Sequence, residues 1–233
     1  IMFTVLYLLL IVALVLFSWV GSIYGLLLPD GAMLPNILSE ESVRWFVRHS
    51  IDNIAAAPFV EILLVLISIS ALRSSRFMAA AFHQKQLTRR HRYALRTSLV
   101  VFAVCLCALL LGIAPGGNLL SVTGHIAGGP FSSGWLFLLA VVICLPCIIY
   151  GRMSGQWHTE KEILVGLSAE IVRCADCFVT CIVASQLVAT MRYVCLFDLL
   201  GWSDTLITLA ETIVYALPFI WRWLMSSGAH RIS

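Results

Sequence analysis

Three ionisable residues lie three positions apart inside an apolar stretch of the chain: Glu170, Arg173 and Asp176. Charged side chains are costly in hydrocarbon, so those in membrane-spanning segments usually face a bundle interior or a wet cavity and pair with one another. On one helix the three are i, i+3 neighbours, and the single cation could bridge both carboxylates. The pattern predicts a site for an ion or an anionic substrate. The alternative is a cytoplasmic extension of the helix, with the membrane crossing beginning at Cys177.

Three other polar residues are candidates for the same chemistry. Glu61, at the start of another apolar stretch, is either a buried proton or ion ligand or a residue near the lipid headgroups. Gln186 falls about 160° around the helix from Glu170, so either the helix is broken before it or it faces a different cavity. Glu211 is predicted to point into the bundle, because it shares one helix face with other polar residues. These are Asp204, Thr208 and Tyr215.

Eight cysteines include two pairs with CxxC spacing, Cys144 with Cys147 and Cys174 with Cys177. A zinc site needs a closed shell of ligands. Cysteines inside apolar runs, by contrast, behave as small hydrophobic residues. We therefore expect no metal, no resident cofactor and no enzyme activity. The alternative is a membrane enzyme with cysteine or zinc chemistry, which only these two pairs support.

The composition is that of an integral membrane protein. Hydrophobic residues make up 61% of the 233 and charged residues 12%, with a mean hydropathy of +0.97. A soluble domain is about half apolar and a quarter charged. The formal net charge of +3 is too small for a nucleic-acid-binding protein. Because the chain begins at Ile1 rather than Met, we expect that residues have been removed from its start.

Six apolar segments predict an all-α, polytopic membrane helix bundle that forms a single membrane domain over residues 1–233. Each segment is long enough to cross most or all of a hydrocarbon core of about 30 Å. The spans are predicted near residues 1–28, 55–72, 97–114, 135–150, 163–190 and 205–221.

The segments between the spans carry the signals for orientation. Ser39 followed by two glutamates predicts the start of an amphipathic helix over 40–53, which either lies in the membrane interface or packs on the bundle as a connector. Residues 73–96 hold seven of the fifteen basic residues and no acidic one. This predicts a cytoplasmic loop, with lipid-headgroup or RNA binding as alternatives. With both termini cytoplasmic, the inner segments hold eleven Lys and Arg and the outer ones three.

Three segments carry motifs of one known family. Asn36-Ile37-Leu38-Ser39, with the Arg-Trp and Ala-Pro-Phe that follow it, is similar to an "NLLS" start, an "RW" helix and an "F-x-PLG" entry to a span. The passage from Leu145 to Glu162 is similar to "IPGxxYGxxxGxxKxDKDV", and 184–189 is similar to "FFAAQFIA". In these segments, and in their order, the chain resembles the AbgT family of p-aminobenzoyl-glutamate transporters.

Two re-entrant hairpin motifs of that family are missing from this chain. One carries Asp-Ala-Gly-Tyr and the other "SxSAKW", and in full-length members they form much of the transport site. The basic segment 73–96 occupies the place where the first hairpin and its flanking spans would lie. The chain therefore resembles a short, divergent member of the family.

The resemblance implies transport of p-aminobenzoyl-glutamate or a related small organic anion, coupled to Na+ or H+. It also implies a bacterial inner membrane and a homodimer or another membrane partner. In this hypothesis the carboxylates of Glu61, Glu170, Asp176 and Glu211 provide ion coupling, and Arg173 offers a cation to the substrate. The alternative is a non-transporting scaffold or accessory subunit derived from the family, in which the charges only hold helices together.

Overall fold

The structure, a computed structural model, describes residues 2–29, 31, 33–82, 88–114 and 130–229. The regular elements in these ranges are eleven α-helices. Their bounds are α1 Met2–Ile23, α2 Glu40–Arg48, α3 Ser50–Ala55, α4 Phe59–Ser74, α5 Phe77–Phe82, α6 Arg89–Ile113, α7 Pro130–Ser154, α8 Glu160–Arg173, α9 Ala175–Tyr193, α10 Leu196–Leu199 and α11 Asp204–Ala229.

Six segments of the described chain are long and apolar enough to cross a membrane. The prediction of an all-α, polytopic membrane fold with about six spans is therefore confirmed. The segments are Met2–Ile23, Ser50–Ser74, Arg89–Ile113, Gly134–Ser154, Ala175–Tyr193 and Asp204–Met225.

The chain divides into two compact units. The terminal unit comprises Ile1–Phe59 and Cys174–Ser233, and the central unit comprises Val60–Arg173. In the terminal unit, α9 packs against α1, α3, α10 and α11. In the central unit, α6 packs along α7, and the short α5 contacts both of them. The sequence analysis predicted a single membrane domain and did not anticipate this division.

The predicted fifth span, 163–190, is two helices rather than one. α8 ends at Arg173 and α9 begins at Ala175, with Cys174 between them at φ −99° and ψ 13°. At about 21 Å, α8 is too short to cross a hydrocarbon core of about 30 Å. The prediction of one continuous helix was wrong because neither proline nor glycine marks the break. The helix is broken before Gln186, at Cys174, which was one of the two alternatives for that residue.

The structure describes residues 73–82 and 88–96 of the basic segment, and most of them are helical although the segment was predicted as a loop. α4 ends at Ser74, α5 follows over 77–82, and α6 begins at Arg89. The helix that forms the third span therefore starts eight residues before the apolar stretch, because a helix can continue beyond the hydrocarbon where its side chains are charged. Four of the arginines in this segment lie on the first two turns of α6.

The amphipathic segment 40–53 is also divided. Ser39 caps α2 as predicted, with its hydroxyl oxygen accepting from the Ser42 N–H at 3.3 Å. α2 ends at Arg48, and α3 begins at Ser50 after the break at His49. The Ser42 hydroxyl and the Tyr193 hydroxyl are hydrogen-bonded at 2.5 Å, so α2 packs on α9 through this side.

A proline inside α11 is accommodated by a tyrosine of α1. Pro218 lacks the backbone N–H that would bond the carbonyl of Val214, four residues earlier. The Tyr7 hydroxyl donates to that oxygen at 2.7 Å, and the Tyr7 side chain is buried. Tyr7 thus satisfies a carbonyl that would otherwise be unpaired at membrane depth.

Candidate functional site

Glu170 forms ion pairs with two arginines in the central unit. Its Oε1 lies 3.0 Å from Nη1 of Arg173 and 3.3 Å from Nη1 of Arg73. The carboxylate side chain is only 10% exposed, whereas Arg173 is 61% and Arg73 is 40% exposed. A carboxylate this well buried needs a counter-charge. One acid with two guanidiniums leaves a net local charge of +1, with several N–H donors still available.

Hydroxyl groups of α4 fix the helix that carries Glu170. The Ser70 hydroxyl donates to the Gly166 carbonyl at 2.6 Å and accepts from the Glu170 N–H at 3.2 Å. The Ser74 hydroxyl also lies 3.0 Å from the Gly166 carbonyl. Small residues let two helix backbones approach closely, and hydroxyls then bond across the contact. This contact sets where the Glu170 carboxylate lies relative to Arg73.

Trp157 packs against two glycines, one on α7 and one on α8. A Cβ added to Gly166 would lie 2.7 Å from Cζ2 of Trp157, and one added to Gly151 would also overlap the indole. The Trp157 side chain is buried. Because Gly151 and Gly166 have no side chain, the Trp157 indole fits between α7 and α8. This packing positions the start of α8, the helix that carries Glu170.

The start of α8 is capped by a glutamate in its first turn. Glu162 Oε2 accepts from the His158 N–H at 2.6 Å, and the Glu162 N–H donates to the Thr159 hydroxyl at 3.3 Å. This is close to a capping box, in which a Ser or Thr cap and an acid three residues later satisfy exposed N–H groups reciprocally. The His158 N–H bond is the main cause that lowers the pKa of the Glu162 carboxyl below its ordinary value.

Glu211 forms the second well-shielded ion pair, in the terminal unit. Arg192 Nε and Nη2 donate to Oε1 and Oε2 of Glu211 at 2.6 and 2.7 Å. The Glu211 side chain is 15% exposed, as expected for a residue that points inward. Tyr215 on the same face is buried, whereas Asp204 and Thr208 are exposed. The predicted polar face is therefore sheltered only along its second half.

Asp176 pairs with a different arginine from the one expected. Its Oδ2 lies 3.3 Å from Nη1 of Arg222, and both side chains are at least half exposed. The prediction that Arg173 bridges Glu170 and Asp176 assumed one continuous helix, which the break at Cys174 removes. Arg173 instead shares Glu170 with Arg73.

Gln186 lies on α9 against α3 in the terminal unit. Its Nε2 donates to the Ser50 carbonyl at 3.2 Å, while its Oε1 is buried without a hydrogen-bond partner. Nδ2 of Asn53, one turn further along α3, is also buried and unpartnered. A buried amide without a partner is unfavourable by about 1–3 kcal/mol, so each of these atoms could receive a polar ligand.

Glu61 does not form part of either cluster. It lies in the first turn of α4, at the opposite end of that helix from Arg73, and its side chain is exposed. This position fits the headgroup alternative rather than the buried ligand. Ser68, on the same helix, is buried and donates to the Leu64 carbonyl at 2.8 Å.

Four of the eight cysteines are buried. These are Cys147, Cys174, Cys177 and Cys181. Within the described ranges, no three His, Cys, Asp or Glu side chains come together in a way that could hold a metal ion. Cys177 and Cys181 donate weakly to the carbonyls of Pro218 and Tyr215, at 3.6 and 3.8 Å.

Sequence reasoning missed the arginines that complete the clusters. In the sequence, Arg73, Arg192 and Arg222 contribute only to the charge asymmetry that indicates membrane orientation. Their partners are 97, 19 and 46 residues away along the chain. No local spacing could have found these pairs. One signal was available: each arginine lies near the end of an apolar segment, and that segment or another one carries an acid that could be its partner.

Comparisons with known proteins agree on one family. A family model described as the AbgT putative transporter family matches residues 73–205, which is more than half of the chain. Among curated protein sequences, none matches the chain significantly.

Two solved transporters share the fold. The Alcanivorax borkumensis YdaH transporter superposes with a TM-score of 0.72 at 13% identity, covering 85% of this chain and 72% of its own. Neisseria gonorrhoeae MtrF superposes with a TM-score of 0.73 at 14% identity, covering 96% of this chain and 80% of its own. At these identities the likeness establishes the fold.

Proposed function

The chain belongs to the AbgT putative transporter family, and from this premise we propose that it moves a small organic anion across the membrane by coupling to Na+ or H+. Family membership and the fold of two transporters support a membrane transport role in general. The proposal adds the substrate class, p-aminobenzoyl-glutamate or a close relative. It also adds candidate binding residues within each unit. These are Glu170 with its two arginines in the central unit, and Glu211 and Gln186 in the terminal unit. The observation that carries the proposal is the pair of arginines on Glu170.

The Glu170 cluster has the charge that an anion site requires. Arg73 and Arg173 together outweigh the single carboxylate, and Arg173 is exposed enough to reach a ligand. A guanidinium binds a carboxylate through parallel N–H bonds, which gives direction as well as strength. We propose that Arg173 contacts a substrate carboxylate while Glu170 and Arg73 hold the guanidinium in place.

Glu211 is the proposed coupling carboxylate of the terminal unit. Both carboxylate oxygens of Glu211 accept hydrogen bonds from Arg192, so a coupling ion has to displace the guanidinium to reach them. Coupling therefore requires a second conformation in which Arg192 and Glu211 separate. A ligand shifts such an equilibrium only by its differential affinity for the two states.

The unpartnered amide atoms near Gln186 favour a substrate that contains an amide group. Its unpartnered Oε1 can accept one hydrogen bond, and the unpartnered Nδ2 of Asn53 can donate one. An amide group offers one N–H donor and one carbonyl acceptor, which is the complementary set. p-Aminobenzoyl-glutamate contains such an amide between its two halves.

The remaining parts of the proposal concern the protein's location, orientation, assembly and direction of transport. We place the protein in a bacterial inner membrane, with both termini cytoplasmic, as a homodimer or with a membrane partner. The fold is shared with MtrF, which represents a class of antimetabolite efflux pumps, and export is accordingly the direction to test first. We expect no enzyme activity, and Glu61 and Asp176 are secondary candidates because both are exposed.

A scaffold or accessory subunit is the second candidate function. It is favoured by the closure of the ion pairs: Glu170 already has two partners, and both oxygens of Glu211 are occupied. Charges paired in this way could serve only to hold helices together. In that case, substitutions at these positions would change stability and leave every flux unchanged.

The two functions are separated by measuring flux and stability on the same variants. Arg173→Gln removes a charge-assisted hydrogen bond worth about 1.5–3 kcal/mol, so we expect initial transport of p-aminobenzoyl-glutamate to fall about tenfold or more. Arg44→Gln is the control, because Arg44 also forms an ion pair with an acid, Glu40, and neither residue belongs to the proposed sites. We expect the control to keep its rate within about twofold. Equal rates for Arg173→Gln and wild type, with a lowered melting temperature, would favour the scaffold.

A further inference from the structure

We propose that one end of the central unit binds the phosphate headgroups of anionic phospholipids. Six arginines form this surface, which we call the arginine end: Arg76, Arg89, Arg90, Arg92, Arg96 and Arg152. All six side chains are exposed. The proposal concerns the lipid around the protein and is independent of the substrate that is transported.

The two units differ strongly in charge. The central unit contains ten Lys and Arg and four Asp and Glu, a formal charge of +6. The terminal unit contains five basic and eight acidic residues, a formal charge of −3. These values sum to the +3 of the whole chain. The positive charge therefore belongs to one unit and is not a property of the whole surface.

The arginine end is not neutralised by ion pairs in the part of the chain that the structure describes. No ion pair found among the described residues involves any of its six members. Of the four acids in the central unit, Glu170 is taken by Arg73 and Arg173. Glu61 lies at the other end of α4, about 18 Å from Arg73 along the helix. Glu160 and Glu162 begin α8, and Glu162 caps the backbone there.

Backbone contacts hold two of the arginines in place without neutralising them. Arg90 Nε donates to the Met153 carbonyl at 3.0 Å, and Arg152 Nη1 donates to the His158 carbonyl at 3.1 Å. These bonds tie the start of α6 to the end of α7 and to the loop that follows it. A carbonyl carries no net charge, and a guanidinium has five N–H donors, so most donors stay available for phosphate.

The position of these arginines favours lipid over a soluble anion. They lie at the ends of three apolar segments, Ser50–Ser74, Arg89–Ile113 and Gly134–Ser154, where headgroups meet the protein. Two aromatic side chains at the same end are largely exposed, Phe82 at 77% and Tyr93 at 67%. Exposed aromatic residues beside basic ones are typical of the membrane interface, where rings contact acyl chains and cations contact phosphates.

The test measures the association of two lipids with the protein of 233 residues, reconstituted in mixed bilayers. Spin-labelled phosphatidylglycerol and phosphatidylcholine report the fraction of each lipid held at the protein surface. We expect the wild type to prefer phosphatidylglycerol. We expect Arg89→Gln with Arg92→Gln to reduce the preference about fivefold or more, since each arginine near an anionic surface contributes about a fivefold preference.

A matched double substitution is available in the terminal unit. Arg44→Gln with Arg48→Gln also removes two exposed arginines from adjacent turns of a helix. We expect it to leave the preference unchanged. Equal loss in both double variants, or no preference in the wild type, would overturn the proposal and leave the arginines as orientation signals only. Displacement of the lipid by millimolar glycerol phosphate would also overturn it, in favour of a soluble anion.

Orientation is measured in the same samples. Because arginines also set which side of a membrane a segment faces, labelling of an exposed terminal cysteine introduced by mutation reports whether the variants insert as the wild type does. An altered preference in correctly oriented protein supports the headgroup site. A preference that changes only in the misoriented fraction contradicts it.

Discussion

Arg192 and Glu211 form a bidentate pair between α9 and α11, with both carboxylate oxygens within 2.7 Å of guanidinium nitrogens. Glu211 is 15% exposed, so removing its charge leaves Arg192 without its partner beside apolar surface. We predict that Glu211→Gln lowers the free energy of unfolding by about 1–2 kcal/mol, between the values for exposed and buried pairs.

The control for this prediction is an ion pair in solvent. Glu40 pairs with Arg44 on α2, and both side chains are about four-fifths exposed. Glu40→Gln should change the free energy of unfolding by less than about 0.5 kcal/mol. Chemical denaturation in detergent measures both variants. Equal losses for Glu40→Gln and Glu211→Gln would show that burial of Glu211 does not strengthen its pair.

Trp157 requires glycine at position 166. A methyl group there would lie 2.7 Å from the indole, and the buried ring has little room to move. We predict that Gly166→Ala lowers the free energy of unfolding by about 1–3 kcal/mol through overpacking. Gly134 on α7 has open space at the corresponding position, so Gly134→Ala should be neutral or slightly stabilising. Similar results at both glycines would argue against the Trp157 contact.

Tyr7 and Pro218 should be energetically coupled through the Val214 carbonyl. Tyr7→Phe removes the hydroxyl that bonds this oxygen, and we predict a loss of about 1–2 kcal/mol. In a Pro218→Ala background the restored N–H can bond the same carbonyl, so Tyr7→Phe should be less destabilising there. A double-mutant cycle gives the coupling. Additive losses would contradict it, and Tyr24→Phe, at an exposed tyrosine, serves as the control.

The cap of α8 should make stability depend on acid pH. The hydrogen bond from the His158 N–H lowers the pKa of Glu162 in the folded state, so its contribution is full above the ordinary glutamate pKa of about 4.3. It is lost as the pH falls through the lowered value. We predict that Glu162→Gln is less stable than wild type at pH 7 and that the difference shrinks below about pH 4. Glu160→Gln is the matched control in the same helical turn.

The membrane class and the number of spans could be predicted because lipid imposes simple requirements on composition and length. An uncharged stretch such as 2–23 has few alternatives to crossing a bilayer. The cap at Ser39 could also be predicted, because it depends on neighbouring residues alone. Helix ends in charged segments could not be predicted in this way. α6 begins at Arg89, although hydropathy places the start of the span at Thr97.

The site could be predicted only in part, because its partners are distant in sequence. Glu170 and Arg173 do pair, as their i, i+3 spacing indicated. Arg73 joins them because Ser70 and Gly166 bring α4 and α8 together, a contact between residues 96 positions apart. The break at Cys174, which separates Asp176 from this cluster, has no signal in residue type.

The central claim is transport of a small organic anion, and the most direct test is flux through the purified protein alone. Vesicles containing the full chain, with an inward or outward Na+ or H+ gradient, are supplied with radiolabelled p-aminobenzoyl-glutamate. We predict movement of the substrate above that in protein-free vesicles and its abolition when the gradient is collapsed. Equal radioactivity in vesicles with and without protein, under every gradient and in both directions, would contradict the claim.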